Sequence, residues 1–313
     1  EEGYDVEIWA KDIPGKVSGV ASYWEPFASV PDSEKRDQKW GRQTYSKLED
    51  QTRDGAPGLA VFPGLSMFSG EIDPPDWAHY VPSYRHLSTN GQLVEASKGK
   101  GINIPSHAKS GYALDYPTFD MPKYLPHLMA EFTGKGGRIL NRTVSEGLVE
   151  ALENADTVIN CTGLASRDLV FDKHVQAMRG QLVEVTRPAG VDMVVIDDEH
   201  PDGMRNVMTH GDHIMLGGTA ERSADETPDE EVSRKILARC TDLVPALAKC
   251  RVIKSHVGLR PYRSTGIRLE AENSGISRSD GKGDKRIIHC YGHGGSGVTF
   301  SWGCAENVAA LVK

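Results

Sequence analysis

The 313-residue sequence lacks the features that define several large protein classes. No apolar run approaches the roughly 18 residues that a membrane-spanning helix needs, and no charged-then-apolar leader opens the chain. A membrane is therefore not an expected partner. Nor is there an excess of positive charge: 36 Lys and Arg face 44 Asp and Glu, a formal net charge of −8. Without a basic stripe, nucleic acid is a poor partner, and a small-molecule ligand is expected instead. Cysteine is sparse. Cys161, Cys240, Cys250, Cys290 and Cys304 are odd in number, widely spaced and free of C-x-x-C, which argues against a disulfide framework. That usage suits an intracellular, reducing compartment, cytoplasmic or peroxisomal, although the sequence ends in "ALVK" and not in S-K-L. Hydrolase chemistry is unsupported too, because "GGSGV" has the wrong order for a G-x-S-x-G elbow. His210, His213 and His289 stand at no metal-ligand spacing from Asp, Glu or Cys, so no metal site is expected.

What is present reads as an ordinary globular chain, 38% hydrophobic and 26% charged, long enough for two domains at about 100–200 residues each. Residues 4–10 alternate like a strand, with Val6 and Ile8 on one face, and begin so close to the first residue that a fragment is suggested. A Gly/Ser loop follows. "DSEKRDQKWGRQTYSKL" is helical, capped by Asp32 or Ser33, with Trp40, Thr44 and Leu48 four residues apart. Prolines and aromatics make 63–117 read as short elements and loops. From Asp120, a predicted N-cap, Pro122 and the stripe Tyr124, Leu125, Leu128, Met129 and Phe132 predict a helix ended by "GKGG". "RIL", "SEGLVEALENA" and "DTVINCTG" continue as strand, helix and strand, an α/β layer with parallel strands. The middle changes character: "GQLVEV", "MVVID", "NVMT" and "HIMLGG" are short strands separated by turns such as "HGD", implying an antiparallel sheet. One helix, with Val232, Ile236 and Cys240 on a face, interrupts it. After the polar loop "ENSGISRSDGKGDK" a last strand and helix return to α/β. The fold class is α/β, with two domains interleaved along the chain.

Three stretches carry chemistry. In "IIHCYGHGGSGVTFSWG", Gly292, Gly294 and Gly297 fit G-x-G-x-x-G, yet that motif opens a βαβ unit of about 30 residues. Only 313 − 297 = 16 residues remain, so these glycines do not read as a pyrophosphate loop. A strand, a glycine loop and a helix nonetheless put backbone N–H groups and a positive helix end at one point, where a flat ring or an anion can approach. His293 in that loop reads as a backbone-bonding residue before a catalyst. "VINCTG" is a buried strand running into a tight turn, either a plain strand end or a ligand site at a carboxyl end. "VGLRPYR" sets Arg260 at a strand end before a proline, either in a structural ion pair or as a planar fork for a carboxylate.

Together and in order, "VINCTGL", "MRGQLVEV", "HIMLGGT", "VGLRPYR" and "IIHCYGHGGSGVTFSWGCAENVAAL" resemble the D-amino acid oxidase / D-aspartate oxidase family of FAD-dependent enzymes, and "AKDIP", "YWEPF" and "YLPHL" extend the resemblance over nearly the whole chain. The resemblance implies a Rossmann-like FAD domain, N-terminally incomplete here, at 1–16, 118–177 and 264–313, interleaved with an antiparallel substrate domain at 17–117 and 178–263. It implies that Arg260 clamps the substrate carboxylate and that Asn206 stands where the family has a carboxylate-binding tyrosine. Lys11, Asp12, Ser18, Trp24, Thr162 and Gly163 would meet the cofactor, as would Gly294, Gly295, Ser296, Gly297, Val298 and Thr299. The implied reaction is hydride transfer from a D-amino acid to flavin N5, hydrolysis of the imino acid to a 2-oxo acid and ammonia, and reoxidation by oxygen to hydrogen peroxide. A homodimer is compatible with the resemblance. Arg205 and Arg222 flank the pocket strands and are candidates for reading an acidic side chain, while Ala220 removes bulk where relatives have a larger residue. The family's own glycine motif does not occur near residue 1, so the alternative is a truncated or degenerate, flavin-free homologue with a ligand-binding or non-catalytic role. The purified protein of full natural length is expected to carry a visible flavin absorbance; a colourless preparation would favour that alternative.

Overall fold

The computed structural model describes residues 3–15, 22–26, 34–145, 147–281 and 283–313, and Ser18 lies outside them. Along the chain run β1 (Glu7–Ala10), β2 (Ser22–Tyr23), α1 (Glu34–Arg53), β3 (Leu59–Phe68), β4 (Arg85–Leu87), α2 (Asn90–Ser97), β5 (Ser110–Phe119), α3 (Met121–Gly134), β6 (Arg138–Asn141) and α4 (Val149–Asn154). There follow β7 (Thr157–Asn160), α5 (Ser166–Leu169), β8 (Val175–Thr186), β9 (Val194–Asp197), β10 (Arg205–His210), β11 (His213–Gly217) and β12 (Glu221–Arg222). The chain closes with α6 (Glu230–Leu243), β13 (Val252–Arg263), β14 (Arg268–Ser277), β15 (Asp284–Tyr291) and α7 (Ser301–Val312).

A ten-stranded sheet dominates, in the order β12-β8-β11-β10-β9-β3-β5-β2, with β13 added to β8 and β4 to β5. All its pairings are antiparallel except β3 with β9. Neighbouring residues on its strands point to opposite faces. Thus Val183, Val195, Val207 and Ile214 pack with Ile236 and Cys240 of α6, while Leu182, Val194, Met208 and Met215 enter an aromatic core with Trp24, Tyr45, Trp77, Tyr112, Tyr116 and Phe119. Both faces are covered, which is why "MVVI" reads as a continuous apolar run and "LVEV" is interrupted only by Glu184, which meets His256. Helix α6 starts at a side-chain cap, the Asp229 carboxylate accepting from the Val232 N–H at 3.0 Å.

The α/β portion consists of two further sheets. β1 pairs in parallel with β6, and β7 in parallel with β15, which carries β14 antiparallel on its other side. Half-exposed Val6, Ile8 and Ile159 lie on β7 and on β1 with its lead-in. Trp40, Leu269, Ile288, Phe300 and Cys304 form a third core between α1, α7 and this layer.

Three sequence expectations are corrected. The 63–117 region is not mainly loop: it supplies most of β3 and most of β5, which pair over ten residues, with Pro63 opposite Asp115 and Pro117 opposite Val61. The prolines that suggested breaks are carried inside the ladder. Asp120 caps α3 through its backbone carbonyl, which accepts from Lys123 and Tyr124, and its carboxylate pairs with Lys123 at 2.7 Å instead of capping. The polar stretch after residue 270 is largely strand, because β14 borrows its order from pairing with β15.

Helices α1 and α7 touch backbone to backbone at Gly303, whose N–H donates to Thr44 Oγ1 at 3.1 Å. A Cβ at 303 would lie 2.3 Å from Trp40 Cα. Gly303→Ala is expected to cost about 1–3 kcal/mol by overpacking and to lower Tm by several degrees in a thermal melt; an unchanged Tm would refute this contact.

Candidate active site

The three stretches singled out in the sequence converge. Arg260 lies near the end of β13, directly against β8, where residue 180 is glycine; a Cβ there would lie 2.3 Å from Arg260 Nη1 and 2.6 Å from Cζ. The guanidinium therefore lies flat on bare backbone, and Nη1 donates to the Thr219 carbonyl at 3.1 Å. The next residue, Pro261, ties in the other two motifs. Its carbonyl accepts the Gly294 N–H at 2.9 Å, and a Cβ on Gly163 would sit 3.9 Å from its ring. Tyr262 forms a bridge with His293. Gly163 follows β7 and the glycine loop follows β15, so the site gathers at carboxyl ends of parallel strands, where open α/β sheets bind ligands.

Two loop glycines are needed for their backbone: Gly292 at φ 85° and Gly294 at φ 55° are left-handed. Gly295 is different. Its missing Cβ would meet nothing closer than Arg260 Cδ at 3.7 Å, so the loop leaves room on the side of the guanidinium. The Ser296 N–H returns to the His293 carbonyl at 2.9 Å, Val298 leans on the aromatic core, and Thr299 Oγ1 donates to the Glu25 carbonyl at 3.1 Å. Helix α7 begins here without a side-chain cap.

Behind the loop, Cys290, His293 and Cys304 bring their donor atoms within 4.8 Å of one another, with Cys304 Sγ 3.5 Å from His293 Nε2. Reading the histidines by spacing missed this group, because Cys304 comes from the next helix. Burial holds the His293 imidazole down to about 4, so it is neutral and packs against the Cys290 and Cys304 sulfurs.

At the end of β7, Asn160 organises the turn. Its Oδ1 accepts from the Thr162 N–H at 3.1 Å and from Thr162 Oγ1 at 2.7 Å, and His289 lies 3.2 Å from its amide. Gly163, at φ 56°, then turns the chain. Lys11 and Asp12 are exposed just beyond β1, where Asn141 donates to the Lys11 carbonyl at 2.8 Å. Trp24 differs from its expected role: its ring is fully buried against Tyr45, Trp77 and Tyr80, so the side chain is core and does not face a ligand.

The wall opposite Arg260 holds residues that sequence reasoning missed. Tyr23 and Asp198 are half-buried within electrostatic reach of Arg260, and half-buried Glu25 is within reach of both. Tyr112 donates to Glu25, and Ser66 and Tyr116 share a 2.6 Å hydrogen bond. Burial, against the help of Tyr112, raises the Glu25 carboxyl to about 7, with Asp198 adding repulsion. Burial also raises Asp198, opposed by its bond from Asn206. Asn206 was expected to meet substrate, but its Nδ2 donates to Asp198 at 2.8 Å and its Oδ1 accepts from the Asp197 N–H at 3.3 Å. It positions Asp198. Arg205 is buried in a two-armed ion pair with Asp197, Nε at 2.9 Å, and Arg222 is exposed on β12.

A left-handed glycine loop, an uncapped helix start and the open face at Gly295 fit the flavin of FAD. Fold and loop together define an α/β flavoprotein oxidoreductase. The chain belongs to the DAO family of FAD dependent oxidoreductases, whose model matches residues 1–311, and FAD is its cofactor. It is 34% identical to a D-amino-acid oxidase of Rubrobacter xylanophilus over 315 residues, covering 99% of this chain and 89% of the relative. It is 33% identical to a human D-aspartate oxidase over 310 residues, covering 97% and 85%. Its fold matches the crystal structure of iminodiacetate oxidase from Chelativorans sp. BNC1 with a TM-score of 0.73 at 17% identity, covering 99% of this chain and 89% of that one. Among the described residues, no helix is long and apolar enough to cross a membrane.

Because the folded protein holds the Glu25 proton more tightly than the unfolded chain, its carboxyl lowers stability as pH rises from about 4.5 to about 7. Glu25→Gln removes that cost. Its Tm is expected to exceed the wild type's by a few degrees at pH 8 and to match it near pH 4; a constant offset across pH would refute the titration.

Proposed function

We propose that the chain oxidises D-amino acids to 2-oxo acids and ammonia, with oxygen as the final acceptor and hydrogen peroxide as product. The observation that carries this reading is the Arg260 guanidinium, laid over Gly180 beside the glycine loop. Burial lowers its pKa, with Asp198 and Tyr23 acting the other way, so a carboxylate is the natural partner of this half-buried cation. FAD, when bound, supplies the hydride acceptor. The chain's own residues do the positioning. Arg260 fixes the substrate carboxylate, the 292–299 loop seats the ring, and the bond from Thr299 to the Glu25 backbone joins that seat to the substrate wall. Holding both partners in one geometry is the main contribution the protein makes.

The preference for the D-enantiomer is supported by the names of relatives at 30–34% identity. We assign the cofactor part to residues 1–16, 118–177 and 264–313 and the substrate part to the remainder. This agrees with the large sheet lying mostly within 17–117 and 178–263.

Peroxide and 2-oxo acid should form from D- and not from L-amino acids. Arg260→Lys keeps the charge and loses the planar fork; its kcat/KM should fall about 100-fold or more, mainly through KM, with flavin content retained. A fall of less than about threefold would refute the carboxylate clamp.

A further inference from the structure

We propose that Glu25 and Asp198 form a cation subsite facing Arg260, and that this subsite selects D-amino acids with a basic side chain. The inference rests on the amino acid oxidase reading of the same site and names its substrate class.

Both carboxylates are held in place by neighbours that do not neutralise them. Asp198 follows β9 and is anchored by the Asn206 amide at 2.8 Å, a neutral donor. Glu25 follows β2; its segment is fixed by the Trp24 N–H on the Pro117 carbonyl at 2.8 Å and by Thr299 on its own carbonyl. One Glu25 oxygen accepts from Tyr112; the other, Oε2, is buried and makes no hydrogen bond of good geometry among the described residues, although the Tyr116 hydroxyl lies close enough to favour the charged carboxylate. A buried acceptor without a donor is costly, and a substrate ammonium or guanidinium removes that cost. Arg260 does not fill the role: its hydrogen bond goes to the Thr219 carbonyl, and it influences Asp198 only through space. Tyr23, Tyr112 and Tyr116 complete the wall, and tyrosine faces favour cations.

Counting charge decides between substrate classes. Above the pH at which Glu25 ionises, about 7, one guanidinium and two carboxylates leave the pocket at −1. A zwitterionic amino acid with a neutral side chain keeps it at −1, an acidic one takes it to −2, and a basic one brings it to zero. Uncompensated charge in a half-buried site is penalised, so the order expected is basic, then neutral, then acidic. The arginine that might have reversed this, Arg205, is already paired with Asp197.

The test is steady-state kinetics of the flavin-loaded enzyme with D-Arg, D-Met and D-Asp. The expected kcat/KM for D-Arg exceeds that for D-Met by about tenfold, with D-Asp lowest. Glu25→Gln and Asp198→Asn should each reduce the D-Arg to D-Met ratio at least about tenfold. Preference for D-Asp, or a ratio unmoved in both variants, overturns the subsite. Turnover of D-Met without D-Arg overturns it while leaving the oxidase reading intact; a flavin-loaded enzyme that oxidises none of the three refutes that reading itself. Should the variants fail to fold, flavin difference spectra of the wild type decide. 4-Guanidinobutanoate should bind at least about tenfold tighter than pentanoate, and equal affinity overturns the proposal.

Discussion

The contact on which the site depends is a side chain lying on bare backbone. Arg260 rests across Gly180, and any side chain at 180 would occupy the space of the guanidinium itself. That single omission brings a planar, permanently charged group to a fixed depth between two long strands. Everything nearby is referenced to it. Pro261 carries the connection to the glycine loop through one backbone hydrogen bond, and to the β7 turn through contact with Gly163. Loop, turn and clamp therefore share one anchor, although Gly163 lies 260 − 163 = 97 residues before Arg260 and Gly292 lies 292 − 260 = 32 after it.

The electrostatic setting follows from how the large sheet is covered. With α6 on one face and aromatic side chains on the other, the site end of the sheet has few water-facing positions, and the ionisable groups there feel strong desolvation. Glu25 and Asp198 hold their protons more tightly for this reason. Arg205 and Asp197, more deeply buried, solve the same problem by pairing. The two outcomes illustrate a division of labour: paired charges stabilise the sheet, and unpaired ones face the opening.

Much of this was legible in the sequence. The β15, glycine loop and α7 unit, the antiparallel middle around "HGD", and Arg260 before its proline all declare themselves locally. So does α6, through Val232, Ile236 and Cys240. What was not legible depends on distant partners. β3 and β5 stabilise each other despite their prolines, and β14 has no pattern of its own. Asn206 looked free until Asp198 took its amide. Trp24 looked like a ligand contact until the aromatic core enclosed it. Glu25 carried no sequence signal, because a glutamate in a loop is ordinarily solvated, and only the meeting of β2, β5 and β13 removes its water.

The two-faced burial of the central sheet also bears on how this protein can change over time. On strands β8 to β11 most apolar side chains belong to one core or the other, so few of them can be replaced without disturbing packing. Evolutionary drift in function is thereby channelled to the ends of strands. The residues that can vary without disturbing a core are those just past β2 and β9, the same short segments that bear Glu25 and Asp198. Lineages sharing this scaffold can diverge in diet while remaining superimposable in frame, because the part of the protein that selects what enters is separate from the part that holds it together.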